Sequence, residues 1–137
     1  MTQVTSTTGG QTRQLMVAKD TAISCPATGN TTLLEVPTAG LDNLAVQIDV
    51  TVQALDAFII QGRFHPDGAF VTIYSAAGDY TAPVGLLVAA SGDLTAQAAG
   101  TTGWFILDVR ALYAVKVLAS GAVNNALVSV YASGASN

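Results

Sequence analysis

Leu44-Ala-Val-Gln-Ile-Asp-Val-Thr-Val52 is the stretch on which the fold turns. Leu44, Val46, Ile48, Val50 and Val52 fall on one face, and Ala45, Gln47, Asp49 and Thr51 on the other. Side chains alternate across a strand, so an unbroken period of two marks a strand with one buried side. Residues 57–65 repeat the pattern, with Phe58, Ile60 and Phe64 inward and Gln61, Arg63 and His65 outward. His65-Pro-Asp-Gly68 then supplies turn chemistry: proline presets φ, aspartate tolerates tight geometry, and glycine offers positive φ at the exit. A hairpin joining 57–65 to 69–75 is therefore predicted. Further strands are predicted at 32–36, 84–90, 104–109, 112–118 and 126–132, a short helix at 94–99, and Ala-Ser-Gly turns at 90–92, 119–121 and 132–134. About eight short strands punctuated by turns give an all-β chain, a single antiparallel β-sandwich that is jelly-roll-like.

The composition narrows the partners. The 137 residues fit one domain, and only 10% are charged, against about 25% in an ordinary soluble domain. Nine acids against five bases leave a net charge of −4, and the cations Arg13, Lys19, Arg63, Arg110 and Lys116 are scattered. Nucleic-acid binding needs a basic footprint that displaces counterions, so nucleic acid is not expected as a ligand. The longest apolar run, residues 84–90, is far short of the ~18 residues of a membrane span, and no membrane partner is expected. The start, MTQVTSTTGG, lacks the basic and apolar segments of a signal peptide, so no Sec export is expected. Cys25 stands alone, which fits synthesis in a reducing compartment.

Residues 1–30 read as a polar N-terminal arm and 31–137 as the sandwich domain. Residues 1–14 have no periodicity, while Leu15-Met-Val-Ala18, followed by turn chemistry at 25–30, reads as an arm or edge strand leading into the domain. Gln11, Arg13, Leu15, Met16 and Val17 are the expected subunit contacts of this arm. The strands at 104–109 and 112–118 are apolar on both faces, yet each sheet of a sandwich has a single inner face. The second face must therefore meet other subunits, or the arm folded over it as a third layer.

Catalytic signals are missing. His65 is the sole histidine and sits in a turn; no Gly-x-Ser-x-Gly, His-Glu-x-x-His or Cys-x-x-Cys motif occurs. Cys25 has no basic neighbour in sequence to lower its pKa and reads as inert. Asp42, Asp67, Asp79 and Asp93 all occupy turn contexts, where an aspartate satisfies nearby N–H groups, and no Asp-x-Asp-x-Asp-Gly calcium loop is present. The chain is not expected to be an enzyme, and no catalytic, metal or cofactor residue is assigned. Among the aromatics, Trp104 reads as core or rim, Tyr113 is placed like a tyrosine corner, and Tyr80 beside Asp79 is the best exposed ring. If the sandwich binds a glycan, Tyr80 and Trp104 are its contacts.

The stretch Gly103-Trp-Phe-Ile-Leu-Asp-Val-Arg-Ala-Leu-Tyr-Ala-Val-Lys-Val-Leu-Ala-Ser-Gly121, followed by Ala126-Leu-Val-Ser-Val-Tyr131, carries a family likeness. With its Thr/Ala/Gly/Val-rich, charge-poor surroundings it resembles the small sandwich proteins of tailed-bacteriophage virions, and within them is most similar to the capsid decoration, or cement, proteins. The resemblance spans about residues 33–133 and lies in strand cadence, not in a diagnostic motif. It implies a structural role in the virion, after synthesis in the host cytoplasm. Subunits, as homotrimers or larger, would bind the outer shell and stabilise contacts between major capsid proteins, with the arm making the contacts. A tail or fibre component, carbohydrate-binding or not, is the alternative.

Overall fold

A computed structural model describes residues 3–5, 13–75, 86–91, 94, 97–123 and 126–136. These form ten strands: β1 (Gln3–Thr5), β2 (Arg13–Cys25), β3 (Thr31–Pro37), β4 (Asn43–Thr51), β5 (Leu55–Arg63), β6 (Val71–Tyr74), β7 (Leu87–Ala90), β8 (Thr101–Asp108), β9 (Ala114–Gly121) and β10 (Ala126–Ser136). One sheet has the order β1-β2-β10-β4-β8-β7 and the other β3-β9-β5-β6, and every pairing is antiparallel.

That order is a jelly roll. The pairs β2·β10, β3·β9, β4·β8 and β5·β6 are the rungs of one long double-stranded ribbon, wound so that alternate rungs land in opposite sheets. The strands β1 and β7 extend the first sheet at its two edges. The all-β jelly-roll sandwich read from the alternation is thus the architecture of the chain.

β4 buries Leu44, Val46, Ile48 and Val50 in strict alternation. Phe105 and Leu107 of β8 join them, and Leu34, Val36, Phe58, Ile60, Val115 and Val117 come from the facing sheet. Phe58 and Phe105 meet edge to face across the two layers, with centroids 5.9 Å apart. Thr38, fully buried between β3 and β4, donates its hydroxyl to the Leu112 carbonyl at 3.0 Å while its N–H reaches the Tyr113 carbonyl at 2.9 Å. This threonine pins the crossing between sheets; the Tyr113 ring, expected to do so, is exposed.

Several local expectations are corrected. Residues 13–25, placed in the arm, form β2, bonded to β10 within the sheet and not layered over it. Met16, Ala18 and Cys25 of β2 are buried in the core, which fixes the strand in place. Phe64 and Val52 both lie beyond their strands and are exposed; the inward place next to Ile60 is Gly62, where a Cβ would stand 2.7 Å from Ile73 Cδ1. The Ala-Ser-Gly pieces at 119–121 and 132–134 lie inside β9 and β10, because their glycines admit close neighbours instead of making turns. The helix expected at 94–99 is absent among the described residues: Leu94 plugs the core and 99–100 form a turn. The 65–68 turn does join β5 to β6, through Gly68 N–H to the His65 carbonyl at 2.9 Å, but Gly68 does not take positive φ.

Candidate functional site: the outer face of the six-stranded sheet

Because β2, β10, β4 and β8 each bury alternate residues, the intervening ones stand on the sheet's outer face in rows fixed by register. One row runs Lys19, Tyr131, Gln47, Trp104, and the next Val17, Ser133, Ala45, Ile106. The small side chains of Ser133 and Ala45 leave a depression, walled by Tyr131, Gln47 and Trp104 and flanked by Val17 and Ile106. It is an open trough of about 560 Å³. Trp104 is 43% exposed and Tyr131 38% exposed. Trp104 therefore belongs to the outer surface and not to the core, since Phe105 and Leu107 take the inward positions of β8.

Polar neighbours fix this face. Thr102 donates to Asp49 Oδ1 at 2.8 Å, and Gln47 Nε2 donates to the same oxygen at 3.3 Å, which orients the Gln47 amide beside the trough. Ser91 accepts from the Trp104 N–H at 3.0 Å and donates its own N–H to the Trp104 carbonyl at 2.9 Å, tying β8 to the end of β7. Lys19 stands exposed at one end of the row.

The expected contact residues scatter. Tyr80 and Gln11 lie outside the described residues. Arg13 and Leu15 lie in β2, Arg13 opposite Ser136 of β10. Met16 is buried and unavailable to a partner, whereas Val17 lines the trough. Tyr131 and Gln47 complete the site without having been singled out from the sequence. The inward alternation of Val128, Val130 and Ala132 was the signal that places Tyr131 outside.

The remaining candidates for chemistry lie apart from the trough. His65 is exposed, its Nδ1 accepting the Asp67 N–H at 3.0 Å. Cys25 is buried, and loss of solvent pushes its thiol pKa up to about 11. Asp108 accepts Arg110 Nε at 3.0 Å, Arg110 Nη2 at 2.7 Å and the Arg110 N–H at 3.1 Å, and these hydrogen bonds lower its pKa to about 2. Among the described residues no group of three or more His, Cys, Asp or Glu side chains could hold a metal ion. Asp79 and Asp93 lie outside those residues. No helix among the described residues is long and apolar enough to cross a membrane.

No family model and no curated protein matches the chain. Among solved structures, it is similar to the crystal structure of the SPBc2 prophage-derived protein YomS. The TM-score is 0.54 at 12% identity, covering 96% of this chain and 100% of that one. At that identity the likeness is one of fold, and it extends over the whole sandwich.

Proposed function

We propose that the chain is a structural subunit of a tailed-phage particle, a decoration protein that binds the assembled shell and bridges major capsid subunits. The observation that carries this reading is the distribution of exposed apolar side chains. Val52 and Val123 stand in the turns at one end of the sandwich; Phe64 and Tyr113 stand at the other, with Val71 at the near end of β6. A lattice subunit is contacted on several sides, and apolar side chains exposed at both ends would serve such contacts. The low charge, the virion-like strand cadence and the prophage origin of a protein with the same fold support the same reading.

In this reading the chain performs no catalysis and needs no cofactor. Its partners are further copies of itself, as trimers or larger rings, and the major capsid protein; its place is the virion. Several weak contacts made at once give a stable attachment, because each later contact forms at high effective concentration. Since the assembled shell alone offers all the contacts, binding shifts the balance toward it by mass action. The segment ahead of β2, whose Gln3–Thr5 strand lies at the edge of the six-stranded sheet, would supply the arm's contact with the shell. Mixing purified protein with undecorated shells tests this: full-length chain should co-sediment, and a variant lacking 2–14 should stay folded and unbound. Decoration at full occupancy by the truncated chain would contradict the role of this segment, and no co-sedimentation of the full chain would contradict the function.

A further inference from the structure

We propose that the trough on the outer face of the six-stranded sheet is a binding site for an acidic saccharide, which goes beyond the shell-binding role and uses a different surface from the loop ends. Three properties of the face argue for this ligand. First, Tyr131 and Trp104 lie two strands apart in one row, about 10 Å at the usual strand spacing, with Gln47 between them. From Lys19 to Trp104 the row spans about 14 Å, room for a di- or trisaccharide. The two exposed rings supply apolar faces for the C–H side of a pyranose, and the Ala45 and Ser133 floor gives the ring space to sit.

Second, the polar groups between the two rings and at the floor are an amide and a hydroxyl, and the amide is oriented. The Gln47 amide is held by Asp49, itself held by Thr102, and Ser133 adds a hydroxyl at the floor. A few placed amides and hydroxyls among aromatic walls suit a ligand made of hydroxyl groups, and their fixed orientation lowers the entropy lost on binding.

Third, the charge pattern selects an acid. Arg110 grips Asp108, Lys116 faces Glu35, and Arg63 and Lys116 bracket the Phe70 ring at 4.5 and 4.4 Å. Lys19, opposite Gln3 of β1, has no ion-pair or ring partner among the described residues and is the one charged side chain lining the trough, while the Asp49 carboxylate on the same face is engaged by Gln47 and Thr102. A lone cation there complements one carboxylate, while the net charge of −4 disfavours long polyanions. A second copy laid on the same face fits less well: it would oppose two concave floors and cover Lys19 without supplying an acid from within the trough.

Trp104 is the sole tryptophan, so its fluorescence reports the trough directly. The full chain would be titrated with sialyllactose and with trigalacturonic acid, each beside a neutral counterpart, lactose and maltotriose. Saturable change with at least one acidic sugar is expected, at least about tenfold tighter than its neutral counterpart. Lys19→Met should abolish that preference, and Tyr131→Ala should weaken binding about tenfold or more, with thermal unfolding unchanged in both. Silence with both acidic sugars, or a preference that survives Lys19→Met, would overturn the proposal. So would a fall in native mass caused by Tyr131→Ala, which would assign the face to contacts between copies. Loss of shell binding without loss of sugar binding, or the reverse, separates this site from the shell-binding role.

Discussion

At the scale of single residues, the glycines divide by what a Cβ would meet. At Gly121 it would lie 2.6 Å from two backbone oxygens, those of Cys25 and Val123, neither of which can move aside easily. At Gly62 the nearest atom is the tip of Ile73, which can change rotamer. Gly121→Ala should therefore destabilise the domain by about 2–3 kcal/mol and Gly62→Ala by about 1 kcal/mol, read from urea unfolding. Equal costs would mean that the backbone approach at Gly121 is looser than described. Sequence alone saw Gly121 as a turn residue, because close approach between distant segments leaves no local mark. Cys25 was legible as inert, and burial sharpens the expectation. Its native pKa of about 11 lies above the ordinary 9.0, so the native state holds the proton longer than the unfolded chain does. Stability associated with this thiol is complete below pH 9 and declines as pH rises toward 11. A thiol reagent at pH 8 should label unfolded protein rapidly and native protein only at the rate of opening; fast labelling of native protein would contradict the burial.

At the scale of elements, strict alternation made β4 readable in advance and carried most of β5, whereas β8 read as apolar on both faces. Alternation worked because one face of each strand meets a dry core and the other does not. The ends were harder: Val52 continues the pattern in sequence but turns out at φ 71°, since nothing local says where a ladder stops. The larger correction is β2. Its polar letters Lys19, Asp20 and Thr21 hide a strand whose described inward residues are Met16, Ala18, Ile23 and Cys25, with a bulge facing Val128 to Val130 between them. That bulge breaks the period of two, which is why the segment read as an arm. Deleting residues 2–12 should leave a cooperative unfolding transition of nearly native midpoint. Deleting 2–25 should abolish it, because β10 and its core neighbours would lose β2 along the whole of their length. A cooperative transition in the longer deletion would mean that β2 is an accessory of the sandwich and not part of it.

At the scale of the whole molecule, the jelly roll follows from register and order together, and the sequence showed the β5–β6 hairpin but not which of the distant strands pair. The apolar second face was visible in the pattern of 104–109, but the trough was not, since it gathers residues from four strands far apart in the chain. What the assembled molecule presents is a charge-poor sandwich with exposed valines and aromatics at both ends and an aromatic trough on one sheet. The central claim is that the ends belong to contacts with further subunits. Native mass by size exclusion with light scattering, across a hundredfold range of concentration, tests it most directly. The account predicts a trimer or larger ring that persists on dilution and survives Tyr131→Ala. A well-behaved monomer at every concentration would contradict it.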